Sequence, residues 1–174
     1  ANAQPFRVRF SGRSLAIAHN GNLVNARQIR NELEEEGSIF QTTMDSEVVL
    51  HLIARSMRHG VDRAMTETRS RLRGAYSMVV MGENELIAVR DPNGFRPLCL
   101  GRINGGYVIS SETCALDLVE AEYLREIEPG EILKISEKGI VSISSSSQSR
   151  RTHCIVELIY FARPDSTVFG ENVY

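Results

Sequence analysis

Leu15-Ala16-Ile17-Ala18-His19-Asn20-Gly21-Asn22-Leu23-Val24-Asn25 carries an apolar run into a polar, glycine-containing stretch, and a helical spacing over Ala26 to Glu36 follows it. Small and branched apolar residues over Leu15–Ala18 fit a buried strand. His19-Asn20-Gly21-Asn22 stops that pattern with residue types that accept left-handed backbone angles, so a strand-to-helix turn is expected there. Such a turn can aim a backbone N–H and a side-chain amide into one cavity. Gly21 N–H and the Asn20 amide would then be two donors for a developing negative oxygen, the arrangement of an oxyanion hole. The alternative is a plain turn whose asparagines satisfy backbone groups, as most Asn-Gly pairs do. Local chemistry alone leaves both open.

The bulk properties bound the rest. At 174 residues the chain is long enough for one domain with a real core, and 42% hydrophobic with 24% charged residues is ordinary for a globular protein. A net charge of −2 gives no electrostatic case for nucleic acid or an anionic membrane surface. No run approaches the roughly 18 apolar residues of a spanning helix, and no signal-peptide pattern opens the chain. Cys99, Cys114 and Cys154 are too few and too scattered for a disulfide framework or a local metal site, which points to a reducing, cytoplasmic setting.

Phe6 to Phe10 alternates apolar and basic residues, as a half-exposed strand does. Ala26–Glu36 presents Ile29 and Leu33 on one helical face, with Asn25 at its start and Gly37 at its end. Ser38–Thr43 reads as a short strand. Asp45 is the expected N-cap of a helix over Ser46–Met57, where its carboxylate also suits the helix dipole. His51 and His59 have no carboxylate or cysteine partner at ligand spacing and read as packing or surface residues. A helix over Val61–Leu72 carries Arg63, Arg69 and Arg71, mixed with Asp62 and Glu67, as on a solvated face. From Ala75 the period becomes that of strands, with hairpins over Ala75–Arg90, Pro97–Ser111 and Ile132–Ile143. Asp91-Pro92-Asn93-Gly94 is a strong turn signal. Glu112–Val119 is a short helix. Cys114 near its start invites a nucleophile reading through the helix N-terminus, but no histidine lies near it in sequence. Ser144–Ser149 is the one low-complexity stretch and reads as a flexible connector. Cys154–Phe161 is apolar enough to dock back on the domain.

Several of these segments resemble class II glutamine amidotransferases, a branch of the N-terminal-nucleophile hydrolases. They are Ala18–Asn25, Gly37–Thr42, Arg90–Leu98, Ser110–Asp117 and Phe161–Ser166, in the family's order along the chain. The last two favour the branch in which an amidotransferase domain precedes a phosphoribosyltransferase domain, and disfavour asparagine synthetases. The resemblance implies an α+β, four-layer αββα sandwich. It implies a glutaminase that hydrolyses glutamine and passes ammonia to phosphoribosyl pyrophosphate. It gives Asn20 and Gly21 the oxyanion role and Asp45 the α-ammonium of glutamine, which is compatible with an N-cap.

Family members use an amino-terminal cysteine, whereas this chain opens Ala1-Asn2-Ala3-Gln4-Pro5. The expectation is therefore a domain over residues 1–143 lacking its first strands, a connector at 144–153, and a segment at 154–174 leading to an absent domain. Such a fragment would be inactive alone. No cofactor is expected within it. Mg2+ would belong to the phosphoribosyltransferase domain, and Cys154 could give one of the four ligands of an iron–sulfur cluster, too few to hold it. A homo-oligomer is implied for the longer protein, with glutamine as the small-molecule partner. The competing reading is a non-catalytic module that binds glutamine or glutamate, or serves structure alone.

Overall fold

Alternating apolar residues sort this chain into two cores, and the computed structural model, which describes residues 3–144, 152 and 154–173, shows what separates them. β1 (Phe6–Phe10) and β2 (Arg13–Leu23) form a hairpin. Three helical elements follow: α1 (Ala26–Glu35), α2 (Asp45–Ser56), which a 3₁₀ turn extends over Met57–His59, and α3 (Val61–Arg71). Then come β3 (Gly74–Met81), β4 (Glu85–Arg90), β5 (Cys99–Ile103), β6 (Gly106–Ser110), α4 (Thr113–Leu118), β7 (Glu122–Glu126), β8 (Ile132–Ser136) and β9 (Gly139–Ser144). A π-helical turn at Glu157–Phe161 and a small hairpin of β10 (Thr167–Val168) and β11 (Glu171–Asn172) complete the described residues.

The strands pair antiparallel into a six-stranded sheet, β1-β2-β3-β4-β8-β9, and a three-stranded sheet, β6-β5-β7. Because successive side chains on a strand point to opposite faces, each strand of the large sheet feeds two layers. Ile17, Met78, Val80, Ile87, Val89 and Ile132 pack under the helices against Ile29, Leu33, Val49 and Ile53. Their neighbours Val79, Ala88 and Leu133 pack the other way, against Leu98, Leu100 and Ile109 of the small sheet. On the far side of that sheet, Cys99 meets Leu116 of α4. The order helices, sheet, sheet, helix is the αββα arrangement expected.

Three local expectations change. The chain does not turn at His19–Asn22: β2 runs on to Leu23 and stays paired with β3, Asn20 opposite Ser77 and Asn22 opposite Ala75. Gly21 makes this possible, at φ +137°, where a Cβ would lie 2.0 Å from the Ala75 carbonyl oxygen. Gly74 is its counterpart on β3, at φ +142° and with Asn22 O at 2.2 Å from a Cβ. Two glycines thus let the backbones pass at van der Waals limits that side chains would forbid.

Residues 38–43 are a loop rather than a strand. The N–H groups of Gln41 and Thr42, which a strand would give to a neighbour, donate instead to the buried Glu47 carboxylate at 2.7 Å each. The segment after Cys154 docks differently from the apolar packing expected. Ile159 and Tyr160 are more than three-quarters exposed, whereas Glu157 is buried and paired with Arg96. Most of the Ser144–Ser149 connector lies outside the described residues. β7, which carried no clear alternation, and the β10–β11 hairpin were not legible.

The turn after β4 is a polar core of its own. Arg90, 1% exposed, donates to the carbonyls of Gly94, Arg96 and Ile127 and to Glu126. Asp91, fully buried, accepts the N–H groups of Asn93 and Phe95 at 2.9 Å, while its own backbone N–H donates to Tyr76 O. Removing one partner of a buried charged network costs about 3–5 kcal/mol because the others are left unpaired. Arg90→Ala is therefore expected to lower unfolding free energy by about that amount in urea titrations. A loss below 1 kcal/mol would show that water replaces the guanidinium at no cost.

Candidate active site

The unbroken β2 puts Asn20 on the face of the sheet that looks at the three-stranded sheet, in line with Ala16 and Ala18. There it borders a cavity of about 280 Å³ between the sheets, lined by Gln4, Asn20, Ser77, Leu98, Ser110 and Ser111 among others. The Asn20 Nδ2 donates to Ser111 Oγ at 3.4 Å, a contact between two sheets and across 91 positions of sequence. Gln4 clips the same strand from its other edge: its Nε2 donates to His19 O at 3.0 Å and its Oε1 accepts the His19 N–H.

Asp45 arrives from the helical layer. It is the first residue of α2, after Met44, and makes no capping bond. Its Oδ2 instead accepts the Leu23 N–H at 3.0 Å, so the carboxylate is held at the end of β2, two residues beyond Gly21. The expected N-cap chemistry is thus replaced by a tertiary bond, for which the first position of the helix gives the carboxylate the right reach. Asn25 behaves alike. Its side chain leaves its own helix uncapped and joins the end of α3, donating to Arg71 O and accepting from Arg73 N.

His19 sits between these groups. Burial pushes its pKa down, the Asp45 carboxylate pulls it up and the Arg96 guanidinium lowers it further, leaving it below the usual histidine value. Its Nε2 is buried and has no hydrogen-bond partner among the described residues. Glu47, two residues after Asp45 on the same helix, is pushed up by burial. The N–H groups of Gln41 and Thr42 and the Thr42 hydroxyl outweigh that, so it too stays below its ordinary value.

The structure therefore gathers Asn20, Gly21 and Asp45 at one end of β2. Sequence reasoning assigned no role to Gln4, Ser111 or His19. Ser111 lay inside the quoted Ser110–Asp117 motif, but only the meeting of two sheets reveals what it touches. The cysteines do not join this site. Cys99 is buried in the small sheet, where burial and the nearby Glu126 push its thiol up to about 12. Cys114 is buried on α4, its Sγ 3.9 Å from the Glu112 carboxylate. Among the described residues no three His, Cys, Asp or Glu side chains gather as a metal site, so Cys154 lacks the company a cluster needs within this stretch.

The profile of the glutamine amidotransferase domain matches residues 1–118. The chain belongs to that family. Amidophosphoribosyltransferase of Bacillus subtilis (strain 168) is 50% identical over 99% of this glutamine amidotransferase chain and 37% of its own length. The Archaeoglobus fulgidus amidophosphoribosyltransferase is 44% identical, over 99% and 38%. The solved glutamine phosphoribosylpyrophosphate amidotransferase from B. subtilis, complexed with ADP and GMP, superposes with a TM-score of 0.90 at 48% identity, covering 99% of this chain and 38% of that one. The chain thus spans a little over a third of the length of these relatives. The αββα fold is the one the N-terminal-nucleophile resemblance implied.

Two outcomes follow from this geometry. Gly21→Ala would force a Cβ into Ala75 O and is expected to destabilise the domain by about 2–4 kcal/mol, read by urea unfolding. A stability within 0.5 kcal/mol of the parent, as for an ordinary surface substitution, would mean that β2 and β3 separate at no cost. For His19, folding lowers the pKa, so the unfolded chain takes up a proton first as the pH falls through about 6.5. Stability is full above that value and declines below it. His19→Gln should flatten the decline between pH 8 and pH 5, leaving the part that comes from His51, whose pKa burial also lowers. An unchanged slope would remove His19 from the account.

Proposed function

We propose that this chain is the glutaminase part of an amidophosphoribosyltransferase, an enzyme that hydrolyses glutamine and passes the ammonia to phosphoribosyl pyrophosphate to give phosphoribosylamine. The observation that carries the reading is the placement of the Asn20 amide on the lining of the cavity between the sheets, with the Gly21 backbone beside it in β2 and the Asp45 carboxylate held on the Leu23 N–H at the same end of the strand. The names of the relatives supply the acceptor substrate, since they are amidophosphoribosyltransferases.

In this reading the reaction is acyl transfer. Asp45 receives the α-ammonium of glutamine and fixes the distance from the substrate backbone to its side-chain amide. A thiolate attacks that amide, and in this family the thiolate belongs to an amino-terminal cysteine. The carbonyl oxygen becomes an oxyanion, which the Asn20 Nδ2–H and the Gly21 N–H receive. Ammonia leaves, and water releases glutamate from the thioester. The donors sit on a paired strand, so they need little reorganisation as charge develops. The phosphoribosyl chemistry, its Mg2+ and any iron–sulfur cluster belong to the remainder of such an enzyme, which would be a homo-oligomer. The free thiols favour a reducing compartment such as the cytoplasm, while plant relatives carry the word chloroplastic in their names.

The test is glutamine hydrolysis by the full-length gene product, with and without phosphoribosyl pyrophosphate. Asn20→Ala is expected to lower kcat by about 10²–10³. Asp45→Asn should instead raise KM for glutamine by tenfold or so, the loss of a charge-assisted contact worth about 1.4 kcal/mol. Retained kcat in Asn20→Ala would end the oxyanion assignment. A folded full-length protein that binds glutamate but hydrolyses nothing would favour the non-catalytic module.

A further inference from the structure

Asn20 can serve an oxyanion only if its amide nitrogen, and not its oxygen, faces the substrate. A primary amide flips between these states by rotation about one bond, and the two ends have nearly the same shape. Something must choose between them. The Asn20 Nδ2 has two hydrogens, and one is directed to Ser111 Oγ at 3.4 Å. With that hydrogen anchored, the second on the same nitrogen is left for another acceptor at the cavity that Asn20 lines.

Ser111 is well fixed for such a task. It follows β6 directly, and the Ser110 hydroxyl accepts the Glu112 N–H on its other side. Glu112 is itself held: its Oε2 accepts from Arg163 N at 2.8 Å and from Ser166 Oγ at 2.9 Å. The Thr113 hydroxyl accepts the Thr167 N–H at 2.8 Å. Ser111 therefore stands between the end of β6 and two residues whose side chains are held, across the cavity from the strand that carries the amide it meets.

We propose that Ser111 is the positioning residue that sets the orientation of the Asn20 amide, holding its Nδ2–H toward the oxyanion. This rests on the oxyanion role of Asn20. A nitrogen whose second hydrogen engages negative charge is polarised, which strengthens its other bond, to Ser111 Oγ. Ser111 does not touch substrate in this scheme, so its loss should affect the transition state and leave ground-state binding nearly intact.

The test is a double-mutant cycle in the full-length protein, with glutamine hydrolysis, glutamate affinity by calorimetry and thermal unfolding read together. Ser111→Ala is expected to lower kcat roughly ten- to hundredfold, with KM, glutamate Kd and Tm near those of the parent. On an Asn20→Ala background the same change should cost less than twofold, because no amide remains to orient. An equal loss in both backgrounds overturns the inference, as does an unchanged kcat in Ser111→Ala when Asn20→Ala alone is impaired. A loss matched by weaker glutamate binding and lower Tm would show a merely structural role and overturn it too. If Asn20→Ala alone loses nothing, the oxyanion reading fails first and takes this one with it. Should Ser111→Ala not fold, Ser111→Cys keeps the volume with a weaker acceptor and is read by the same cycle.

Discussion

The buried Arg90–Asp91 pair of neighbours is the constraint on which the rest of the molecule depends. A guanidinium taken fully out of water needs partners for its donors, and here they are the carbonyls of three separate positions, Gly94, Arg96 and Ile127, together with Glu126. Those partners lie on the turn after β4, at the last residue of β7 and just beyond it. One side chain thereby joins the end of β4, in the large sheet, to the small sheet. Asp91 does the complementary work, gathering N–H groups that the turn would otherwise leave unpaired. Burial pushes its carboxyl above the ordinary range while the N–H groups of Asn93, Tyr76, Arg96 and Phe95 pull it back. Arg96, carried on that turn, then reaches Glu157 and orders the segment beyond the sandwich.

A second constraint acts through absence of side chains. β2 and β3 approach so closely at Gly21 and Gly74 that no Cβ fits at either, and both glycines adopt positive φ. The approach lets β2 continue past the point where its apolar pattern ends. Without it Asn20 would lie on a turn, free to point several ways. With it, the alternation of the strand sends Asn20 to the face shared with Ala16 and Ala18, into the space between the sheets.

This explains which parts of the molecule were legible. Helices α1 and α2 announced themselves because Ile29 and Leu33, and Leu52 and Ile53, fall at helical spacing and are buried. The hairpins of β3–β4 and β8–β9 followed from alternation and Gly-rich turns. The turn misread at His19–Asn22 came from local propensity: Asn and Gly favour turns, and only a distant strand, β3, overrides them. Ser38–Thr43 failed for the mirror reason, since its residues suit a strand but Glu47 claims their N–H groups. Asp45 was found for its charge at a helix start, yet its partner Leu23 N–H is a tertiary contact. The candidate residues themselves were visible as a motif; their company was not. Gln4 and Ser111 reach His19 and Asn20 across 15 and 91 positions respectively, and no periodicity reports that.

The site lies where the two sheets meet, and this location has a physical consequence. A donor that stabilises developing charge is effective in proportion to how little it must move, because reorganisation consumes the energy that orientation would have supplied. A single sheet fixes a side chain's face but leaves its outer torsions free. Two sheets packed on a common apolar core, with Val79, Ala88 and Leu133 against Leu98 and Leu100, hold their edges at a set separation. A hydroxyl from one can then register an amide on the other. On the proposed reading the core between the sheets is thereby part of the chemistry, because a change in its thickness of a few tenths of an ångström alters the 3.4 Å contact between Asn20 and Ser111.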